Sequence, residues 1–277
     1  MEKRRLVKAV VVVVAVSASV ALALPPMGPP MATLKQGQFS AGFEYGYSDM
    51  DLEVDVKQSL TAPGVDVSAK ESGPLDDFKS NMLFGRLGYG VTDNWEVFMR
   101  LGVADVEMED WFDGSYGFAW GLGAKATLLK QDSLTWGGLL QVTWFNPGDD
   151  KLTDIVSVPA GEGEADVTIS GNGEVDWWEI QIAVGPTWQR DGFCIYGGPF
   201  LHFLNGDYDE KLTGTLTNPG DVVSRLTADI EEDSALGGYV GAQWDIGKWI
   251  NNASWNAELQ FTGDAWAFGT GVIWRLP

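Results

Sequence analysis

The sequence predicts an all-β protein: a closed, antiparallel, up-and-down transmembrane β-barrel of about ten strands. The first observation behind this prediction is an alternation of apolar residues with small or polar ones along most of the chain, which is typical of strands. The second is the length of the apolar face, which continues without a charge for about a dozen residues where a soluble strand has about 5–6. The third is the abundance of Gly (35 residues) and Trp (13 residues).

The hairpin from Ser115 to Phe145 shows the pattern most clearly. One face of its first half carries Tyr116, Phe118, Trp120, Leu122, Ala124, Ala126 and Leu128. The return strand repeats the pattern with Trp136, Leu140, Val142 and Trp144. Lys125 and Gln141 belong to the opposite, polar face. Because successive strand side chains point to opposite faces, the hairpin has one apolar face, and its length suits lipid.

The N-terminus is typical of a cleaved secretory signal peptide, residues 1–23. Basic residues precede an apolar run at 9–16, and Ala21-Leu22-Ala23 forms a cleavage site. A single membrane anchor is the alternative, but the apolar run is short for one. Residues 24–36 are predicted to be a Pro-rich periplasmic lead-in, and residues 37–277 the barrel domain. The predicted destination is the bacterial outer membrane.

The connections between the ten predicted strands alternate in length. Short turns are expected at 92–94, 130–133, 189–192 and 247–253, and long loops at 50–77, 146–175 and 205–233. The first long segment is either a loop or an extended hairpin arm, and its apolar alternation changes at Met50, which suggests a bulge. Transmembrane barrels have short periplasmic turns and longer extracellular loops, and their sheet must close on itself in lipid.

The strand at 193–204 is apolar on both faces, so its register is the hardest to assign. Ile195, Leu201 and Phe203 are placed outward, because this leaves His202 inward. Aromatic residues are expected to form two belts at the membrane interfaces. The predicted periplasmic belt is Trp95, Trp136, Trp188, Trp244 and Trp274; the predicted outer belt is Tyr47, Tyr116, Trp144, Trp178 and Trp266.

The chain carries a formal net charge of −21, and the three predicted loops hold 22 acidic residues against five basic ones. This excludes a basic nucleic-acid-binding surface. Acidic loops could bind divalent cations through oxygens of Asp207, Asp209 and Glu210 or of Asp149 and Asp150. No ordered calcium-loop spacing is present, so a solvated, self-repelling surface is the preferred interpretation. No cofactor is predicted.

The turn Gly88–Trp95 and the final strand, with Gly271, Trp274 and Leu276, resemble bacterial outer-membrane β-barrel proteins of the opacity and small-porin type. The resemblance extends over residues 37–276. It implies insertion by the barrel assembly machinery and contact with outer-membrane lipid and lipopolysaccharide. It assigns no activity, because such barrels host pores, adhesins, enzymes and scaffolds alike.

Polar residues on the inward face form the candidate lumen set: Glu44, Arg86, Glu96, Arg100, Lys125, Gln141, Glu179, Gln181, Gln243, Asp245, Glu258 and Arg275. Because a ten-stranded barrel is narrow, these side chains are predicted to fill it as a network of ion pairs. The expected role is a surface structural or interaction protein. A narrow porin for ions or small solutes is the alternative. A soluble lipocalin-like carrier is a further alternative, which requires the apolar face to point inward.

His202 is the sole histidine and the one candidate for catalysis. An outer-membrane hydrolase could use it at the rim of the barrel with an acid such as Asp207. One residue does not make a catalytic constellation, and no nucleophile matches it by spacing, so no enzyme is predicted. The single cysteine, Cys194, excludes an intramolecular disulfide.

Overall fold

The computed structural model describes residues 24–105, 107–108, 112–113, 115–146, 150–160, 163–215, 220–231 and 235–276. The predicted signal peptide lies outside the described residues. These residues form the strands β1 (Phe39–Ala62), β2 (Val65–Thr92), β3 (Trp95–Ala104), β4 (Glu107–Met108), β5 (Phe112–Asp113), β6 (Gly117–Gln131), β7 (Leu134–Asn146), β8 (Asp150–Ala160), β9 (Gly163–Arg190), β10 (Phe193–Thr215), β11 (Asp221–Glu231), β12 (Leu236–Asp245), β13 (Ala253–Phe261) and β14 (Ala265–Arg275). None of the described segments is a helix that is long and apolar enough to cross a membrane.

Ten of these strands close into an antiparallel barrel, as predicted. Their order around the wall is β1, β2, β3, β6, β7, β9, β10, β12, β13 and β14, and β14 pairs with β1 to complete the ring. The short turns fall where they were expected, since β2 ends at Thr92 and β3 begins at Trp95, for example. We call this side of the barrel the turn end and the opposite side the arm end.

Several strands continue far past the barrel at the arm end. β2 and β9 each have 28 residues, a length of about 90 Å at about 3.3 Å per residue. A tilted membrane strand needs about 9–11 residues. The upper halves of β2, β1, β10 and β9 pair with β11 and β8 in one six-stranded sheet, in the order β2, β1, β11, β10, β9, β8. We call this sheet the arm sheet.

The prediction of long loops was therefore wrong for most of their length. Residues 150–160 and 163–175 belong to β8 and β9, and residues 205–215 and 221–231 belong to β10 and β11. For the segment 50–77, the alternative of an extended hairpin arm is confirmed. Polar composition suggested loops, but alternating valine, leucine and threonine residues provide a buried face that ladder pairing can use.

Long strands such as β1 bury polar side chains in the barrel and apolar side chains in the arm sheet. The side chains that point inward keep the same parity along the whole strand. In β10, the outward residues Ile195 and Phe203 are exposed and apolar within the barrel, whereas Asp207 and Asp209 are outward farther along. The inward positions change in the reverse sense in β1, which buries Ser40, Glu44 and Ser48 in the barrel and Met50, Val54 and Leu60 farther along. This reversal marks the level at which the surroundings of the barrel change from lipid to water.

The shift of the apolar alternation at Met50 reflects this passage from the barrel to the arm sheet. A bulge lies between Met50 and Leu52 in the β1–β2 ladder, as predicted. Ser48 and Met50 are both buried, so β1 keeps its inward face, and Met50 packs in the interior. The apolar alternation shifts because the core of the arm sheet is inside, whereas the apolar surface of the barrel is outside.

The register assigned to residues 193–204 is confirmed. Ile195, Leu201 and Phe203 are exposed, and His202 is fully buried. Pro199 lies on the exposed face, and the β9–β10 ladder skips residues 197–199 before it resumes at Phe200. A proline cannot donate to the ladder, so the interruption falls where its amide would be required.

The outer surface of the barrel is an apolar band with aromatic residues at both ends. Leu101 is 46% exposed and Leu140 is 47% exposed in the middle of their strands. Trp244 stacks on Trp255 near the turn end, and Trp120 stacks on Trp144 near the arm end. This outward apolar face is that of a transmembrane barrel. It contradicts the lipocalin-like alternative, which places the apolar face inside.

A pair of arginine substitutions tests the boundary between lipid and water. Leu140→Arg places a charge in the middle of the apolar band and is expected to cost about 2–4 kcal/mol of folding free energy in a bilayer. Ile155→Arg, the matched control, changes an outward residue of the arm sheet and is expected to leave the stability unchanged. Urea unfolding in lipid vesicles measures both variants. Equal effects would contradict the assignment of the two environments.

Candidate functional site: a plugged lumen

The N-terminal segment enters the barrel from the turn end and fills its lumen. We call residues 24–34 the plug. Leu24 is 1% exposed and Met27 is 0% exposed, and both pack against residues of the barrel wall. The prediction of a periplasmic lead-in is therefore corrected: the start of this segment lies inside the barrel. Its composition suggested an unstructured tail, because proline-rich sequences lack a ladder and an amphipathic period.

Wall side chains donate hydrogen bonds to the plug carbonyls. The carbonyl of Pro25 accepts from the amides of Gln260 at 3.0 Å and of Gln141 at 3.4 Å. The carbonyl of Pro26 accepts from the guanidinium of Arg100. These three donors come from β13, β7 and β3, so the first residues of the plug are held from three sides of the barrel.

Wall carboxylates accept hydrogen bonds from the plug amides. Glu258 takes the N–H of Met27 on Oε1 at 2.9 Å and the N–H of Gly28 on Oε2 at 2.8 Å. Glu96 Oε2 accepts the backbone N–H of Thr33 at 2.8 Å and its hydroxyl at 3.0 Å. A buried carboxylate is costly unless such donors compensate it. The plug therefore stabilises charges that belong to the wall.

Proline suits a segment that must lie inside a barrel. Pro25, Pro26, Pro29 and Pro30 have no backbone N–H. An extended proline-rich chain makes no internal hydrogen bonds, so its carbonyls remain available to the wall. The segment therefore presents more backbone acceptors than donors, and Glu258 and Glu96 accept the amides of Met27, Gly28 and Thr33. Rigid prolines also lose less conformational entropy when the segment becomes ordered.

Small residues on the inner wall make room for the plug. A Cβ atom at Gly137 would lie 2.4 Å from the backbone nitrogen of Met31. At Gly90 it would lie 2.0 Å from the carbonyl oxygen of Lys35. A larger residue would collide with the plug backbone at Gly137 and with the residue that follows the plug at Gly90. The glycines of the polar face thus define the path of the segment.

Polar side chains form a continuous chain of contacts around the plug. Arg86 bridges Glu96 at 3.0 Å and Glu44 at 3.4 Å. The Nε atom of Arg100 lies 2.6 Å from the other oxygen of Glu44. From Arg100 the chain continues through Gln141, Gln181 and Gln260 to Glu258. Phe98 packs under the arginines, with the guanidinium carbon of Arg86 at 4.2 Å from its ring centroid.

The structure brings together most members of the candidate lumen set. Nine of them are buried in the interior: Glu44, Arg86, Glu96, Arg100, Lys125, Gln141, Glu179, Gln181 and Glu258. Gln243 and Arg275 are half-buried at the turn end, and Asp245 is exposed there. The placement of Asp245 in the lumen was wrong, because β12 ends at this residue. Gln260 and the plug main chain were missed from the set. The alternation of β13 places Gln260 on the same inward face as Glu258, which belongs to the set.

His202 is buried in the interior and lies next to an acid other than the one expected. Its Nε2 atom is 3.0 Å from Glu179 Oε2, and both side chains are at most 1% exposed. Asp207 lies on the outward face of β10, because it is an odd number of residues away. The predicted pairing of His202 with Asp207 at the rim was therefore wrong.

A second closure lies between the plug and the arm end. We call it the outer core: Met50, Met82, Phe84, Phe145, Trp177, Leu204, Tyr208 and Ile230. Phe145 stacks on Trp177 at 5.0 Å between ring centroids and contacts Phe84 edge-on at 6.4 Å. These side chains are at most 7% exposed. The lumen is thus filled by polar contacts at one level and by apolar packing at another.

The arm sheet has its own core and an acidic exterior. Its inner face buries Leu60, Ala62, Val156, Val158, Val167, Ile169, Leu212 and Val222. Burial raises the pKa of the Glu210 carboxyl, which accepts a hydrogen bond from the Tyr208 hydroxyl at 2.8 Å. On the exposed face, the hydrogen bond to Asp229 raises the pKa of Lys57.

The candidate cation ligands do not converge. Asp207 and Asp209 point outward, whereas Glu210 points into the arm sheet. Alternation along a strand therefore separates these carboxylates onto two faces. Asp149 lies outside the described residues. Within the described part of the chain, no three His, Cys, Asp or Glu side chains are close enough together to hold a metal ion.

A cavity of 520 Å³ opens beside the plug at the turn end. Pro29 and the plug residues 31–34 form one side of it, and Cys194, Gln243 and Arg275 form part of the other. The plug is anchored below the cavity, since the N–H of Gly37 donates to the carbonyl of Gly90 at 2.8 Å. The cavity separates part of the plug from the wall.

Comparisons with known proteins find several solved outer-membrane proteins at low identity. No protein-family model matches the chain, and no curated protein matches it. The outer membrane protein OprG of Pseudomonas aeruginosa is similar at 11% identity over 87% of this chain and 97% of its own, with a TM-score of 0.40. The outer membrane protease OmpT of Escherichia coli is similar at 10% identity over 93% and 99%, with a TM-score of 0.42. The toluene transporter TbuX of Ralstonia pickettii is similar at 10% identity over 94% and 96%, with a TM-score of 0.37. At such identities the similarity assigns no activity to this chain.

Arg100→Met tests the energetic importance of the buried network. The substitution leaves Glu44 and the Pro26 carbonyl without their shared donor, and it is expected to cost about 3–5 kcal/mol of unfolding free energy. Lys57→Met removes an exposed partner of Asp229 and is expected to have no measurable effect. Urea unfolding measures both. An equally small effect for Arg100→Met would show that the network contributes little.

Proposed function

We propose that this chain is an integral barrel of the bacterial outer membrane that does not conduct and that presents the acidic arm sheet to the outside. The turn end then faces the periplasm, and the arm end faces the extracellular medium, as in other transmembrane barrels. Outer-membrane lipid and lipopolysaccharide surround the apolar band. The role is that of a surface interaction protein, and the barrel serves as its anchor.

The filled lumen is the observation that carries this proposal. The plug and the outer core occupy successive levels of the same narrow barrel, and their side chains are buried. Passage of a solute would require both to move. A narrow porin remains the alternative proposal, and it would need a single water-filled path along the polar side chains.

The arm sheet supports the second half of the proposal. Its outward residues include Asp207, Asp209 and Asp229, which are exposed. β8 is an edge strand of the arm sheet: one of its edges pairs with β9, and within the described residues no strand pairs with the other edge. An acidic surface with a free edge favours a cationic partner, including one that adds an extended segment to the sheet.

We propose no enzymatic activity. The buried pair of His202 and Glu179 has the residue types of a general acid–base pair, but both side chains are at most 1% exposed. A substrate would have to displace the outer core or the plug to reach them. A hydrolase assay that loses its signal in His202→Ala would overturn this part of the proposal.

Recordings in planar bilayers test the closed lumen. The wild-type protein is expected to give no steady unitary currents. Deletion of residues 24–34 is expected to remain silent as well, because the outer core is still present. The same deletion combined with Phe145→Ala and Trp177→Ala removes both closures and is expected to conduct. Steady currents from the wild type would overturn the proposal in favour of the narrow porin.

Binding of a fluorescent oligolysine peptide to the protein in zwitterionic nanodiscs tests the acidic surface. Asp207→Asn together with Asp209→Asn is expected to weaken binding severalfold at low salt, and added salt is expected to reduce the difference. Asp132→Asn together with Asp191→Asn removes the same charge from the turn end and serves as the control. Equal weakening by both pairs would show that net charge alone determines binding.

A further inference from the structure

We propose that the lumen is a binding site for an extended, proline-rich peptide, and that the plug is its exchangeable occupant. The inference deepens the proposed function, because it rests on a barrel whose lumen does not conduct. It adds a ligand class and a periplasmic side of access. The site consists of Arg100, Gln141, Gln260, Glu96 and Glu258, together with the glycines that make room for the segment.

The wall recognises the main chain of the plug. Arg100, Gln141 and Gln260 donate to carbonyls, and Glu258 accepts from two amides. The hydroxyl of Thr33 is the one plug side chain among the hydrogen-bond partners described for this site. A site that binds the main chain can accept another segment of the same backbone shape, provided that its side chains fit the positions of Leu24 and Met27. The plug thus needs no covalent link to the barrel in order to be recognised.

The backbone shape restricts the ligand class. Proline at positions 25, 26, 29 and 30 fixes an extended chain with few donors. Gly28 adopts φ +67°, and a Cβ atom there would lie 3.1 Å from the ammonium of Lys125. The site therefore selects a glycine at one position between prolines. A segment without these prolines would bring additional amide donors into the lumen, and each of them would need an acceptor from the wall.

The structure provides a route for exchange. The cavity at the turn end lies between the plug and the wall and opens toward the periplasm in the proposed orientation. The segment 24–34 belongs to no strand, so its departure breaks no ladder pair. Water that enters would then solvate Glu258 and Glu96, which reduces the cost of exposing them. The outer core remains in place and keeps the barrel closed.

Cys194 reports on the position of the plug. It is the single cysteine of the chain, it is 7% exposed, and it lines the cavity beside the plug. A membrane-impermeant maleimide should therefore modify it slowly while the plug is docked. Departure of the plug widens access to the thiol. The rate of modification measures how often the site is vacated.

The experiment compares two glycine substitutions in the full-length protein. Gly28→Val forces a β-branched residue into positive φ next to Lys125, and it is expected to accelerate Cys194 modification about tenfold. Gly64→Val is the matched control, because Gly64 also has positive φ (+77°), a Cβ atom there meets nothing within 4 Å, and it lies in the β1–β2 turn at the arm end, away from the plug. Its rate is expected to stay near that of the wild type. Heat-modifiable gel mobility verifies that each barrel is folded.

Addition of a separate plug peptide tests whether the site is exchangeable. A synthetic peptide with the sequence of residues 24–34 is expected to return the Gly28→Val protein to the slow wild-type rate. The same peptide with valine in place of its glycine is expected to have no effect. If the wild-type peptide leaves the fast rate unchanged, or if Gly28→Val is modified as slowly as wild type, the exchangeable site is refuted.

A second measurement covers the case in which Gly28→Val does not fold. A fluorescein-labelled peptide of residues 24–34 is expected to bind the wild-type protein slowly and saturably as it replaces the plug, as followed by anisotropy. Absence of binding would overturn the proposal. Bilayer conductance separates this outcome from failure of the proposed function, because a conducting wild type would refute the closed barrel, whereas a silent one that binds no peptide would refute the exchange.

Discussion

The structure depends on the compensation of charge inside a narrow lumen. Glu44 is satisfied by Arg86 and Arg100, which belong to the wall. Glu258 relies on the plug instead, since two of its described hydrogen bonds come from the amides of Met27 and Gly28. A buried carboxylate without donors costs several kcal/mol. The barrel wall and the plug are therefore one electrostatic unit, although they are far apart in sequence.

This dependence explains the composition of both parts. The wall carries glycine where the plug backbone approaches, as at Gly137, and long polar side chains where it needs hydrogen bonds. The plug carries proline, which limits the donors that the wall must satisfy. Without the plug, the glycine-lined wall would leave voids in the lumen. Without the wall, the proline-rich segment would remain solvated. Packing and hydrogen bonding therefore both favour the plug as the occupant of the lumen.

Much of the fold could be predicted from the sequence because strands that cross lipid alternate apolar outward residues with polar inward ones. The alternation at Ser115–Phe145 gives the outward face directly, and the inward parity of Glu44, Arg100 and Gln141 follows from it. Most of the arm sheet was missed because its water-facing side chains resemble those of loops; only the hairpin at 50–77 was among the alternatives. In a strand that leaves the membrane, the apolar side moves from outside to inside, so a search for one continuous apolar face ends at Asp49.

The plug could not be predicted from local pattern, because nothing within residues 24–34 records its partners. The hydrogen bonds of Met27 and Gly28 join residues that are more than two hundred positions apart. The glycines of the inward face gave no clear signal, because some leave room for wall rings, as Gly123 does for Phe98, whereas others, such as Gly137, leave room for the plug.

The position of the net charge follows from the same constraint. Inside the barrel, Glu44 and Glu96 pair with arginines, Glu179 lies against His202, and Glu258 accepts the plug amides. The large acidic excess of the chain therefore lies outside the lumen. The arm sheet carries it from Met50 to Ala62 along β1, a distance of about 40 Å at about 3.3 Å per residue. Salt screens such charges over about 8 Å at physiological ionic strength. The field of the outer arm sheet therefore acts on partners that approach it well above the membrane surface, where lipid headgroups no longer compete for them.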